Sequence, residues 1–337
     1  MSRQRTIWFI VPESIDDPER SSGGNVYDRH LRQGLATRGW TLRTVPVVDN
    51  ATASGAIGRI EAPGIALVDG LVAGWAPDAI EAAADRVPVV IIAHMISAAF
   101  PGAVADIVNS ESRALRAASK VIATSEWTAG ELVRRGMTMG DRITVAPPGT
   151  REATVLRGAD HRALLCVGAI VPHKGQDVLL AALELLADRD WYCTLVGSQA
   201  VDPDFTAQIR AAASRFDGRI RMPGVLHGAA LDQAYRRAGL LVAPSRTESF
   251  GMAVVDARSL GVPILATAVG GIPEASSGGG ALLVPPDEPR ALADALDKWL
   301  TESTLRSRLQ QQAEQGSSTV PRWADTVDQV HRVLVAA

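Results

Sequence analysis

Three side chains in this sequence stand just beyond short apolar runs, where they could act on a polar ligand. His94 closes the run Val87–Ala93, Lys174 lies in the loop after Leu164–Gly168, and Glu248 follows Leu240–Pro244. Such runs read as buried strands, and in an open parallel sheet ligands bind in the crevice beyond the carboxyl ends of the strands. A carboxylate there can accept hydrogen bonds from hydroxyl groups. A lysine can neutralise negative charge as it develops on a leaving diphosphate. After Glu248 come Ser249, Phe250, Gly251, Met252 and Ala253, which open a helical stretch. Free amides at a helix start, with the helix dipole behind them, attract phosphate. A carboxylate beside an anion hole suits a polyol that carries a phosphate, and a nucleotide sugar is such a compound. Each residue also has a plainer structural reading: a helix-capping carboxylate for Glu248, a solvated loop lysine for Lys174, a hydrogen-bonded strand-end histidine for His94.

The elements that must position these residues follow from the apolar pattern. Thr6–Pro12 is β-rich and a polar stretch runs to Ser22; Gly23-Gly24 then precedes a helical segment, Asn25–Arg38, with Val26, Leu31 and Leu35 near helical spacing. A glycine pair between strand and helix lets backbone approach a ligand with no Cβ in the way, although alone it is equally a flexible loop. Strand candidates continue at Leu42–Val48, Ile65–Asp69, Val87–Ala93, Val121–Ser125 and Ile143–Ala146. In the second half they recur at Leu164–Gly168, Tyr192–Gly197, Ile220–Pro223, Leu240–Pro244, Ile264–Thr267 and Ala281–Val284. Apolar runs without alternation imply burial on both faces, as in parallel sheets covered by helices. The expected fold class is α/β, with two Rossmann-like doubly wound domains facing an interdomain cleft. Residues 1–155 and 156–319 are the expected domains, joined by a polar connector from Pro147 to about Asp160, and a terminal helix lies within 320–337.

Taken in order, these features resemble the retaining GT-B glycosyltransferases, family 4 (glycosyl transferases group 1). That family carries two acidic residues separated by seven positions, matched by Glu248 and Asp256; its second acid is normally glutamate, so Asp256 is one methylene shorter. Gly23-Gly24 matches a glycine-rich loop near the donor pyrophosphate, His94 a histidine near the transferred sugar, and Lys174 a lysine near the diphosphate. Gly270-Gly271-Ile272-Pro273-Glu274 matches a turn beside the donor. One basic residue of the family pattern is Ala169 here, and His173, Arg246 or a residue of the first domain are candidates to replace it.

The resemblance implies a GT-B architecture with an acceptor-side first domain, on which the terminal helix packs back, and a donor-binding second domain. It implies transfer of a hexosyl group from a nucleoside diphosphate sugar to an acceptor hydroxyl, with retention of configuration and domain closure. The implied catalytic residues are His94, Lys174 and Glu248. The implied donor site is Gly23, Gly24, Lys174, Glu248, Phe250, Gly251, Met252, Ala253 and Asp256, with Glu248 on the sugar and Asp256 on the ribose. No metal and no cofactor beyond the sugar nucleotide is expected. A sugar-nucleotide isomerase and a binding module with lost or weak catalysis are the other readings, the second favoured by Ala169 and Asp256. The base, the sugar and the acceptor are not specified by these side chains.

Composition is consistent with this. The chain has 337 residues, 47% hydrophobic and 21% charged, with net charge −3; nucleic-acid binding would need clustered cations that it lacks. No apolar run approaches the roughly 20 residues that span a bilayer, and the first residues lack a signal-peptide pattern, so a cytoplasmic location is expected, with peripheral membrane contact not indicated. Cys166 and Cys193 sit in strand candidates and read as buried small hydrophobes. Asp202-Pro203-Asp204 offers a carboxylate pair, but a helix starts there and an N-cap accounts for Asp204 without a metal. Phosphate-loop, GxGxxG and GxSxG patterns are absent.

Overall fold

The computed structural model describes residues 5–20, 22–100, 102–150, 155 and 159–337. The chain divides into two compact units, one built from Met1–Asp17, Ser21–Gly149 and Pro321–Ala337, the other from Pro18–Arg20 and Thr150–Val320. About half of the connector expected between the domains, 151–154 and 156–158, lies outside the described residues.

The first unit holds a six-stranded sheet: β1 (Thr6–Pro12), β2 (Thr41–Val47), β3 (Ile65–Asp69), β4 (Val89–Ala93), β5 (Lys120–Ala123) and β6 (Ile143–Val145). Its strands are all parallel and lie in the order β2-β1-β3-β4-β5-β6. β3 and β4 are buried at every position, which is why their sequences, IALVD and VVIIA, show no alternation. The order reverses direction between β1 and β3, which makes that gap the topological switch point.

The second unit holds β7 (Ala163–Val167), β8 (Tyr192–Val196), β9 (Ile220–Gly224), β10 (Leu240–Ala243), β11 (Ile264–Thr267) and β12 (Ala281–Val284). They are again parallel, in the order β12-β11-β10-β7-β8-β9. Here the direction reverses between β7 and β10, as in a dinucleotide-binding sheet. Each sheet is packed on both faces by apolar clusters.

Two local findings refine the sequence reading. The helix expected from Asn25 begins at Gly23, because Ser22 is its N-cap and the Ser22 hydroxyl accepts from the Asn25 amide at 3.1 Å; the glycine pair is therefore the first turn of the helix. At Pro203–Ala213 the cap is Asp202, not Asp204: its carboxylate accepts from the Phe205 amide at 2.9 Å.

The last helix, Trp323–Ala336, belongs to the first unit. Val327, Val330, Val333 and Leu334 join the cluster of Ile7, Phe9, Leu31 and Leu35, and each such burial is worth about 1.5–3 kcal/mol. The helix is pinned by the Thr326 hydroxyl on the Pro147 carbonyl at 2.7 Å and by Trp323, stacked on His30 at 4.1 Å. Gly34 and Gly149 allow the approach: a Cβ on either would overlap Val327 or the Arg322–Trp323 backbone.

Candidate active site

In the second unit, the loops after β7 and β10 meet at the switch point. Gly175 has φ +70, a left-handed conformation that favours glycine, and any Cβ there would collide with the Pro244 carbonyl. The Arg246 amide donates to the His173 carbonyl at 2.8 Å, and the Arg246 guanidinium to the Pro172 carbonyl at 2.6 Å. With the loops tied in this way, Lys174 Nζ and Glu248 Oε2 lie 2.5 Å apart, with side chains 25% and 18% exposed. Two residues 74 positions apart thus form one charge-assisted pair at the mouth of the sheet.

The turn at Gly270-Gly271 seats the Glu248 backbone. The Gly271 amide donates to the Glu248 carbonyl at 2.9 Å, and Gly270, at φ +55, lies so close that a Cβ would overlap that carbonyl. Gly251, at φ +104, caps the helix Met252–Ser259 without a side-chain cap, and its own carbonyl accepts from the Val254 and Val255 amides. Met252 and Ala253 form the first turn. The Phe250 ring is buried in the apolar cluster that contains Val254 and Ile272, so what this residue can offer a ligand is backbone. Asp256 lies one turn into the helix; burial, and then the Asp256 carboxylate, raise the Tyr235 phenol well above its ordinary range.

Neither second-unit candidate to replace the missing basic residue is an available cation. Arg246 is forked onto Asp177, with both bonds at 2.8 Å, and also bonds Asp287 at 2.5 Å. Burial and the neighbouring Lys174 charge push His173 down to about 4, so its ring is neutral at pH 7. Ala169 contributes only a carbonyl, which accepts from the Gln176 amide group at 2.8 Å. Lys174 therefore stands here without a second cation from these positions.

In the first unit, His94 lies just past β4, and its Nε2 is 2.9 Å from Asp28 Oδ1 and 3.4 Å from Asp69 Oδ2. Asp69 ends β3, and its Oδ1 also accepts from the Leu71 and Val72 amides at the start of the helix Gly70–Trp75. Asp28 comes from the helix Gly23–Thr37; it is 1% exposed, and its Oδ2 has no hydrogen-bond partner among the described residues. Gly24 completes the enclosure, since a Cβ on it would stand 3.2 Å from His94 Cδ2. The structure thus brings Gly24 and His94 together at the switch point and adds two carboxylates. The donor atoms of Asp28, Asp69 and His94 lie within 4.8 Å of one another, the only such trio found among the described residues, and a shared proton or a small cation could bridge them. The carboxylates raise His94 above the ordinary histidine range against its burial, while burial and then Asp28 push Asp69 up to about 6.

Asp28 and Asp69 are absent from the sequence-derived site. A signal for Asp28 exists: with Leu31 and Leu35 it occupies the buried stripe of its helix, and a carboxylate on an apolar stripe needs a reason. Asp69 ends an unbroken apolar strand, the same position that drew attention to His94.

Comparison with known proteins fits this geometry. Residues 153–316 match the family model described as "Glycosyl transferases group 1". The second unit is a group 1 glycosyltransferase domain. Lys174, Glu248, Gly251, Asp256 and Gly270 all fall within the matched span; Gly23, Gly24 and His94 lie before it. Curated relatives of the chain include D-inositol 3-phosphate glycosyltransferases. That of Kineococcus radiotolerans is 30% identical over 234 residues, 60% of this chain and 54% of the relative. That of Corynebacterium efficiens is 29% identical over 276 residues, 73% and 65%. The chain thus spans about half to two thirds of their length. Among solved structures, sucrose-phosphate synthase from Thermosynechococcus elongatus superposes with TM-score 0.83 at 21% identity, covering 98% of this chain and 99% of that one. HepE of Anabaena, in complex with UDP-glucose, gives 0.76 at 17%, covering 98% and 100%. At these identities the likeness shows the fold, and it accounts for two parallel six-stranded sheets in the GT-B architecture. No helix among the described residues of this glycosyltransferase-domain protein is long and apolar enough to cross a membrane.

Proposed function

We propose that the chain is a metal-independent, retaining glycosyltransferase of the cytoplasm that moves a hexosyl group from a nucleoside diphosphate sugar to an acceptor hydroxyl. The Lys174–Glu248 pair beyond β7 and β10, beside the start of the helix Met252–Ser259, carries the reading. In it, Lys174 and the amides of Gly251, Met252 and Ala253 hold the diphosphate, Glu248 accepts from the sugar hydroxyls, and Asp256 accepts from the ribose. The first unit serves the acceptor side, where His94 offers a ring nitrogen to a hydroxyl. The acceptor oxygen bonds to the anomeric carbon on the face from which the diphosphate departs, as the carbon–oxygen bond to phosphate breaks. The acceptor proton passes to a leaving phosphate oxygen, so no separate base is needed. Lys174 stabilises the negative charge that grows on that group, and it must exchange Glu248 for the diphosphate to do so.

The relatives named as glycosyltransferases support this reading, and the UDP-glucose complex of HepE makes a uridine diphosphate sugar the first donor to try. The test is a thermal-shift panel of UDP, GDP, ADP and dTDP with the wild type and Lys174→Ala. A ligand at a hundred times its Kd adds about 2.7 kcal/mol to stability. One nucleotide is expected to raise Tm in the wild type and to lose most of that effect in the variant. If none of the four shifts Tm, donor binding is refuted and the transferase reading falls with it.

A further inference from the structure

We infer that Asp28 and Asp69 are positioning residues that hold His94 with Nε2–H turned inward, which leaves Nδ1 as the ring nitrogen that meets a substrate hydroxyl. The inference rests on the proposed glycosyl transfer for what that hydroxyl is, but its structural half stands alone. Both carboxylates converge on one nitrogen: Asp28 Oδ1 at 2.9 Å and Asp69 Oδ2 at 3.4 Å. An ionised carboxylate only accepts hydrogen bonds, so Nε2 carries the hydrogen. In a histidine, the bond made by one ring nitrogen sets the state of the other. Nδ1 has no protein partner among the described residues, and the side chain is 13% exposed, so the ring is not sealed.

The rest of the ring is braced. The Tyr27 ring stands edge-on to it at 5.1 Å and 75°, and the Tyr27 hydroxyl is tied to the Ala146 carbonyl at 2.9 Å. Gly24 lies against Cδ2 and Cγ. Asp69 is itself fixed by the Leu71 and Val72 amides. Among the described residues Asp28 has no such second anchor, and its Oδ2 is buried without a partner. A buried, half-satisfied carboxylate is costly, and orienting His94 gives Asp28 a function that its packing does not. A hydroxyl can both donate and accept, so Nδ1 serves it in either protonation state of the ring.

Two measurements test this separately from the transferase reading. In ligand-free protein labelled with 15N-histidine, at a pH high enough that the His94 ring is neutral, two-bond proton–nitrogen correlations report which His94 nitrogen keeps its proton. Nε2–H is expected in the wild type and in Asp28→Asn, whose amide oxygen still accepts, with loss of that single state in Asp28→Ala. A wild-type signal from the Nδ1–H form overturns the assignment. So does displacement of the Nε2 proton by one equivalent of Zn2+ added to chelator-treated protein, because a cation rather than a hydrogen bond would then organise the trio. In turnover assays, Asp28→Ala should lower kcat roughly 10- to 100-fold with little change in KM, the scale on which the carboxylate behind a metal-bound histidine matters in metalloenzymes. The same substitution in a His94→Ala background should cost little, since Asp28 acts through His94. Full additivity of the two losses overturns the positioning role. Absence of turnover in the wild type with any nucleotide sugar would sink the transferase reading and leave the NMR result standing.

Discussion

Both sheets bring their notable side chains to the point where strand order reverses, yet the two switch points carry opposite chemistry. In the first unit, two carboxylates and an imidazole are enclosed around the ends of β3 and β4, with Asp28 at 1% exposure. In the second, a lysine and a glutamate sit partly exposed beside a helix start with amides to offer. A buried acid cluster favours neutral, hydrogen-bonding groups such as hydroxyls, whereas a partly exposed cation beside amide donors favours phosphate. Position in the fold therefore brings each set of side chains together, and burial and charge decide what chemistry each can offer.

The sharpest way to break this comparison is Glu248→Gln, which keeps the shape of the side chain and removes its charge. Lys174 then loses its ionic partner and is released toward a diphosphate. Turnover is expected to fall on the order of 10²–10³-fold, the cost of removing one preorganised contact to the transition state, while Kd for the nucleoside diphosphate stays level or tightens. Calorimetry with UDP beside a turnover assay separates the two quantities. If affinity and turnover fall together, Glu248 holds the diphosphate site in shape and the division of labour between the pair is wrong.

Next in size is Gly270→Ala. At φ +55, with a Cβ driven into the Glu248 carbonyl, the substitution strains the turn and displaces Glu248, and it is expected to cost about 2–4 kcal/mol. The Tm of the variant, without ligand, measures it. The contrast with the first unit is informative, because Gly24 faces the edge of a side chain at 3.2 Å rather than backbone. An aromatic ring can tilt by a few tenths of an ångström, but a carbonyl locked in a turn cannot.

What was legible in the sequence follows the same division between local and distant causes. The strands announce themselves because β3 and β4 are buried on both faces and so lack alternation. Lys174, Glu248 and His94 are legible because each follows such a run. Strand order is not written in periodicity, so the sequence alone gives no reason for the loops after β7 and β10, among all the loops, to meet. The commitment of Arg246 is hidden for the same reason: its carboxylate partners, Asp177 and Asp287, are 69 and 41 residues away. Asp28 is a different case, since its place on the Leu31–Leu35 stripe is visible in the sequence, but only the fold shows that His94 is what it meets. The start of the first helix shifts to Gly23 because Ser22 caps it, a local cause that a glycine pair masks.

The smallest expected effect concerns pH, and it belongs to the first switch point. Burial and then the Asp28 carboxylate push Asp69 up to about 6 from an ordinary value of 3.8, with His94 pulling the other way. The folded chain therefore holds a proton on Asp69 through a window in which the unfolded chain has lost it. The stabilisation from that proton is fully present below about pH 4 and is lost as pH rises through about 6. Asp69→Asn cannot ionise, and its amide oxygen can still accept from Leu71 and Val72. Relative to the wild type, the variant should therefore gain stability between pH 4 and pH 7. Two pK units would carry about 3 kcal/mol, but the variant also gives up a carboxylate that helps hold the proton on His94, so a gain of about 1 kcal/mol is expected. Thermal unfolding of both proteins at pH 4.5 and pH 7.5 measures it. A difference between Asp69→Asn and wild type that does not change with pH would mean that the trio keeps one protonation state throughout, and the first switch point would then be as firmly charge-paired as the second.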